Sequence, residues 1–115
     1  MHEVSPPGRV TIGGYGPGFF RVGGQVHRGA VLVTPDGVQP WGGPEDSAPL
    51  LALAGTVDLV VIGTGAEMQA LPPGLVAALD AAGIAHEAMA TPPACRSHVV
   101  LLDEGRRVAL ALLPV

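Results

Sequence analysis

The sequence predicts a layered α/β domain, and three observations carry that prediction. Leu59-Val60-Val61-Ile62 is an unbroken aliphatic, mostly β-branched run, the pattern of a strand buried on both faces with helices above and below it. Segments with helical apolar spacing and recognisable starts and stops flank that run in sequence. The first third of the chain is instead a succession of short extended runs broken by tight turn signals, a β-rich unit placed before the layered part.

In chain order, Met1 to Gly8 contains Ser5-Pro6-Pro7-Gly8 and has no periodicity, so residues 1–8 are read as a loose leading segment and 9–115 as one domain. Arg9 to Ile12 is a candidate short strand, Tyr15 to Gly18 a turn, and Phe19 to Val22 an extended run that Gly23-Gly24 reverses into Gln25-Val26-His27. Ala30 to Val33 reads as a buried strand, with Thr34-Pro35-Asp36-Gly37 turning it back along Val38 to Trp41. After Gly42-Gly43-Pro44, Asp46 or Ser47 is placed to cap a helix with Pro49 in its first turn and Leu50, Leu53 and Ala54 on its apolar stripe, ending at Gly55. A second helix begins near Pro72-Pro73, presents Leu75, Leu79 and Ala82, and stops at Gly83, with Ile84 supplying the hydrophobic contact that follows such a stop. Ala85 to Ala88 is a short strand. Thr91-Pro92-Pro93 looks like the cap and first turn of a third helix, carrying Cys95, Val99 and Leu102 on one face up to Gly105. The same residues also fit a hairpin of Val99–Leu102 with Arg107–Leu113, and the pattern leaves both open; Val108 to Leu113 is a strand either way.

Composition narrows the function classes. With 115 residues, 48% of them apolar and 14% charged, the chain suits one folded domain. A net charge of −4, with arginine as the sole strong base, argues against a protein that tracks a nucleic-acid backbone. The single cysteine, Cys95, excludes an internal disulfide and suits a reducing compartment. The amino-terminal stretch has no secretory pattern and no apolar run nears the roughly 20 residues of a membrane-spanning helix, so a soluble, cytoplasmic protein is expected, without membrane insertion.

Several motifs then add up to a resemblance: Ile12 to Gly18, the strand and glycines of Val60 to Gly65, Leu71-Pro72-Pro73, Gly83-Ile84, Cys95-Arg96-Ser97 and Glu104 to Ala109. Together the chain from about Val10 to Val115 is similar to the family of small domains of unknown function that includes the mitochondrial respiratory complex I assembly factor three. The resemblance implies a three-layer α/β fold, with a central five-stranded mixed sheet flanked by helices, its last strand antiparallel to the others, and an extra amino-terminal β element. It also implies a helix over Thr91 to Glu104. No catalytic residue is implied, and the implied role is assistance in respiratory-complex assembly. After the arginine the family pattern has a threonine, an aromatic residue and an asparagine, whereas this chain has Ser97, His98 and Val99, which puts any function of that amide in doubt.

Candidate chemistry is sparse. Gly63-Thr64-Gly65 offers turn amides to an anion, with Glu67 close behind, but it lacks the third glycine of a dinucleotide fingerprint and has no P-loop lysine; a turn kept tight for structural reasons is the preferred reading. Arg96, near the amino end of the third helix, faces an unfavourable macrodipole and needs an anionic ligand or a carboxylate such as Glu67 or Glu87, the ion pair being preferred. Cys95 is expected to pack rather than react. His2, His27, His86 and His98 have no metal-ligand spacing, and neither a metal nor a cofactor is expected. Asp103 and Glu104 read as a solvated helix end. Tyr15, Phe19, Phe20 and Trp41 are candidates for a partner-binding patch or for core. The leading expectation is a non-enzymatic protein-binding or assembly-factor-like module, with self-association compatible; the alternative is a small-molecule or anion-binding domain using Gly63, Thr64, Gly65, Arg96 and Ser97.

Overall fold

A computed structural model describes residues 10–115; the expected leading segment and Arg9 lie outside the described residues. The elements are β1 (Gly14–Gly16), β2 (Phe19–Val22), β3 (Gln25–Arg28), β4 (Val31–Thr34), β5 (Gly37–Pro40), α1 (Ala48–Leu51), β6 (Leu59–Thr64), α2 (Pro73–Ala81), β7 (His86–Met89), α3 (Thr91–Asp103) and β8 (Val108–Leu113). They form a three-stranded sheet in the order β1-β2-β3 and a five-stranded mixed sheet in the order β5-β4-β8-β6-β7.

The long aliphatic run lies where its composition requires. Every residue of β6 is buried, between β8 on one side and β7 on the other. The two-residue period of a strand then sends alternate side chains into two separate cores. On one face Val60 and Ile62 pack with Leu50 of α1, Leu75 and Leu79 of α2, and Trp41. On the other, Leu59 and Val61 pack with Val108, Leu110, Leu112, Ala94 of α3 and Phe20. This is the expected three-layer arrangement, with the amino-terminal hairpins adding to the α3 side.

Some expectations need correcting. The last strand, β8, runs parallel to β6, and β4 is the strand opposed to its neighbours. Connections explain this: α3 carries the chain back along the sheet so that β8 starts from the same end as β7, whereas the tight turn after β4 forces β5 to reverse. No strand forms at Val10–Ile12; among the described residues strand pairing begins at Gly14, and Tyr15 and Gly16 belong to β1, opposite Phe20 and Phe19, with the turn confined to Pro17-Gly18. The first helix is a single turn ending at Leu51, and Ser47 occupies its cap position without a side-chain bond. Asp46 is committed elsewhere, its carboxylate accepting from the Gly42 amide at 3.0 Å while its carbonyl accepts from the Trp41 indole at 2.9 Å.

The region that pattern alone left open between helix and hairpin is helical. α3 buries Thr91, Ala94 and His98, one step away from the expected Cys95–Val99–Leu102 stripe; Cys95 and Leu102 reach the core edge and are half-buried. Among the described residues no helix is long and apolar enough to cross a membrane.

Candidate functional site

The carboxyl end of β6 is held by Thr91, the first residue of α3. Its hydroxyl donates to the Leu113 carbonyl at 2.7 Å and accepts from the Gly65 amide at 2.9 Å, and its own amide donates to the Gly65 carbonyl at 2.8 Å. Gly63 is required by close approach: a Cβ there would lie 2.8 Å from Thr91 Oγ1 and 2.6 Å from Leu112 Cδ2. Thr64 is engaged as well, its hydroxyl lying 2.8 Å from the Glu67 carbonyl and 3.2 Å from that of Met89, and accepting from the Gln69 amide at 3.0 Å. Gly65 adopts a positive φ of 103°, and its amide is already taken by Thr91. Glu67 is exposed on the following loop. These contacts make the glycine loop a packed junction of β6, α3 and β8.

Arg96 lies elsewhere, on the outer side of α3, between two grooves. The first, of about 320 Å³, runs between α3 and β7; its floor is Val61, Met89 and Leu101, and its rim includes Arg96, Ser97 and Glu87. The second, of about 360 Å³, separates α3 from the β1 region and is walled by Ile12, Tyr15, Pro92, Cys95 and Val99, with Arg96 again at the boundary. Neither groove is lined by Gly63, Thr64, Gly65 or Glu67, so the residues named together in the sequence divide into two places.

The expected ion pair of Arg96 does not form: among the described residues no carboxylate approaches its guanidinium within 4.0 Å, Glu87 included. Arg96 is the sixth residue of α3, beyond the first turn where the macrodipole acts, and it is exposed, so water solvates the cation. Ser97 turns toward the floor of the first groove, its hydroxyl 3.6 Å from the Met89 sulfur. At the following family position His98 is buried at 1% exposure, and Val99 faces the second groove. Burial pushes the Cys95 thiol up to about 11, with the nearby Arg96 charge pulling less strongly the other way.

The four aromatic residues do not form one patch. Phe20 is fully buried in the α3-side core and Trp41 is 5% exposed in the opposite core, because the flat rings fill the space beside the short hairpins. Tyr15, 40% exposed, and the half-buried Phe19 remain accessible. Among the described residues no three His, Cys, Asp or Glu side chains converge as metal ligands. The sequence reading missed Val100, which is 55% exposed over the first groove, and Thr91 as the junction of three elements. The Pro-Pro that follows Thr91 marked it as a helix start, but nothing local indicated its contacts with Gly65 and Leu113.

Comparison with known proteins agrees with this architecture. A crystal structure from Bartonella henselae, described as an outer membrane protein, matches with a TM-score of 0.82 and 36% identity, covering 93% of this chain and 96% of that one. A solution structure of a Mth938-like domain protein from Bordetella pertussis matches with a TM-score of 0.78 and 28% identity, over 99% and 91% of the two chains. An uncharacterised protein of Rhodobacter capsulatus is 52% identical over 94% of this chain and 87% of its own length. The NADH dehydrogenase (ubiquinone) 1 alpha subcomplex assembly factor 3 of Mus musculus is 32% identical over 94% of this chain, which spans 62% of that factor's length. The sequence profile of the family described as protein of unknown function DUF498/DUF598 matches residues 12–113, and the chain therefore belongs to that family.

Proposed function

We propose that the protein is a non-enzymatic protein-binding module of the assembly-factor kind, acting in respiratory-complex assembly through the outer face of α3. The observation that carries this reading is Arg96, a cation with no carboxylate within 4.0 Å among the described residues, set between two apolar-walled grooves. Exposed apolar side chains around a charged centre suit a protein contact, in which aromatic and arginine residues concentrate the binding energy. Val100 and Tyr15 stand on either side of it. The assembly factors among the relatives support the kind of partner, a subunit or intermediate of a respiratory complex.

The anion-binding reading has less support, because the Gly65 amide is occupied by Thr91 and Arg96 lines a different surface. The test is quantitative affinity purification of the tagged chain from its native host. Respiratory-complex proteins are expected to be enriched with the unmodified chain and reduced at least about tenfold with Arg96→Glu, a loss on the scale of one interface hot spot. An unmodified chain that enriches none of them overturns the reading.

A further inference from the structure

We infer that β7 is a docking edge: an extended segment of a partner protein adds to the five-stranded sheet as a sixth strand beside His86–Met89, placing alternate apolar side chains in the groove under α3 and an acidic side chain at Arg96. The inference rests on the protein-binding reading above and names how that binding takes place.

Among the described residues β7 is the terminal strand of its sheet and pairs with β6 alone, in parallel. In a parallel ladder, alternate residues of a strand direct both backbone groups to the same neighbour. Val60 donates to the Ala85 carbonyl at 2.9 Å, which fixes the phase: Ala85, Glu87 and Met89 face β6, and the amides and carbonyls of His86 and Ala88 point out of the sheet. Among the described residues these outward groups have no partner. The opposite edge is guarded differently, since β5 ends in Pro40, which has no amide to donate. β7 contains neither proline nor glycine.

Side-chain geometry points to the same edge. Glu87 and Met89 lie on the α3 face of β7, in register with Val61 and Gly63. The groove of about 320 Å³ opens on that face, and Val100 is left 55% exposed above it. Side chains of an added strand, projecting to the same face at every second position, would enter this space. An acidic residue among them would meet Arg96, which has no carboxylate within 4.0 Å among the described residues. A second copy of this chain fits less well. Two-fold antiparallel pairing that uses the free groups of both His86 and Ala88 sets the two Glu87 side chains directly opposite one another, and like charges so placed are unfavourable.

The experiment is amide hydrogen exchange on the full chain, read by NMR. The probes are peptides of about eight residues, the length of an ordinary strand, with alternating valine and threonine and one aspartate placed at each valine position in turn, so that it shares a face with the remaining valines. Otherwise identical lysine peptides are the controls. An aspartate peptide is expected to slow exchange at His86 and Ala88 by at least about tenfold while leaving the already bonded Glu87 amide unchanged, the pattern that distinguishes edge pairing from general stabilisation. Its affinity should exceed that of the lysine control and fall with Arg96→Glu. Ala88→Pro, which removes an outward amide and no ladder bond, should abolish the protection; if circular dichroism shows that it does not fold, the exposed Arg96→Glu remains as the test. The inference is overturned if no peptide protects these two amides. It is equally overturned if they exchange slowly in the isolated dilute chain, when its own residues cover the edge, or only at high concentration, when a second copy does. Purification from the host separates the two levels: partners retained by a folded Ala88→Pro chain remove strand addition and keep the protein-binding reading, whereas no partners with the unmodified chain remove both.

Discussion

Thr91 joins the ends of two buried strands to the start of a helix through one hydroxyl and one amide. Thr91→Val keeps the side-chain shape but leaves the Gly65 amide and the Leu113 carbonyl without that partner, so a loss of about 1–3 kcal/mol is expected, read as a shift of the urea midpoint. Gly63→Ala should cost about as much, roughly 1–3 kcal/mol, because the added methyl meets Leu112 and Thr91 in a packed core. Cys95 makes a chemical prediction. With its thiol raised from 9.0 to about 11, it holds about a hundredfold less thiolate near neutral pH than an unshifted thiol, and iodoacetamide should label it correspondingly slowly in the native state and rapidly in urea.

At the scale of elements, the two longer helices end in the same way. After α2 the Gly83 amide donates to Asp80 and the Ile84 amide to Leu79; after α3 the Gly105 amide donates to Leu102 and the Arg106 amide to Leu101. This satisfies the last helical carbonyls and requires a left-handed residue at the turn, which glycine provides. Gly83, at φ 72°, has open space around its Cβ position, so Gly83→Ala tests backbone conformation alone and should cost about 1 kcal/mol. Asp58 and Arg107 join the entries to β6 and β8: the carboxylate accepts from the guanidinium at 2.9 Å and from the Arg107 amide at 3.0 Å. The guanidinium bond, followed by the amide bond, holds the Asp58 carboxyl below its ordinary value of 3.8. A depressed folded-state value means that this contribution is present above the ordinary carboxylate range and is lost as pH falls through the folded-state value. Asp58→Asn should therefore make stability fall less steeply between about pH 5 and the acid limit in a denaturant titration, and the effect should be modest because the pair is exposed.

For the whole molecule, β8 is the middle strand of the larger sheet, and it divides its side chains between the two cores. Leu110→Ala opens a cavity in the α3-side core and should lower stability by about 2–5 kcal/mol, measured by chemical denaturation. The separation of Arg96 from the glycine loop makes a second prediction at this scale: sulfate should leave the melting temperature unchanged beyond the general salt effect, equally in the native chain and in Arg96→Ala.

Much of this fold is written locally. The continuous aliphatic run at β6 requires cover on both faces, Pro72-Pro73 and Gly83 delimit α2, and paired glycines turn the amino-terminal hairpin, because strand period, proline geometry and left-handed turns depend on near neighbours. Val99–Leu102 is different: a short apolar run satisfies helix and strand equally, and packing against the sheet makes it part of α3. Sequence likewise marked Arg96 as a cation needing compensation, but whether a carboxylate, a glycine loop or an open groove lies beside it depends on how the rigid layers meet. The same holds for the aromatics, of which two enter opposite cores. Local chemistry thus determined most of the elements and the two-sided burial of β6; tertiary packing decided the buried face of α3 and which strand edge and which side of α3 remained uncovered, since an edge is open only when no distant segment pairs with it.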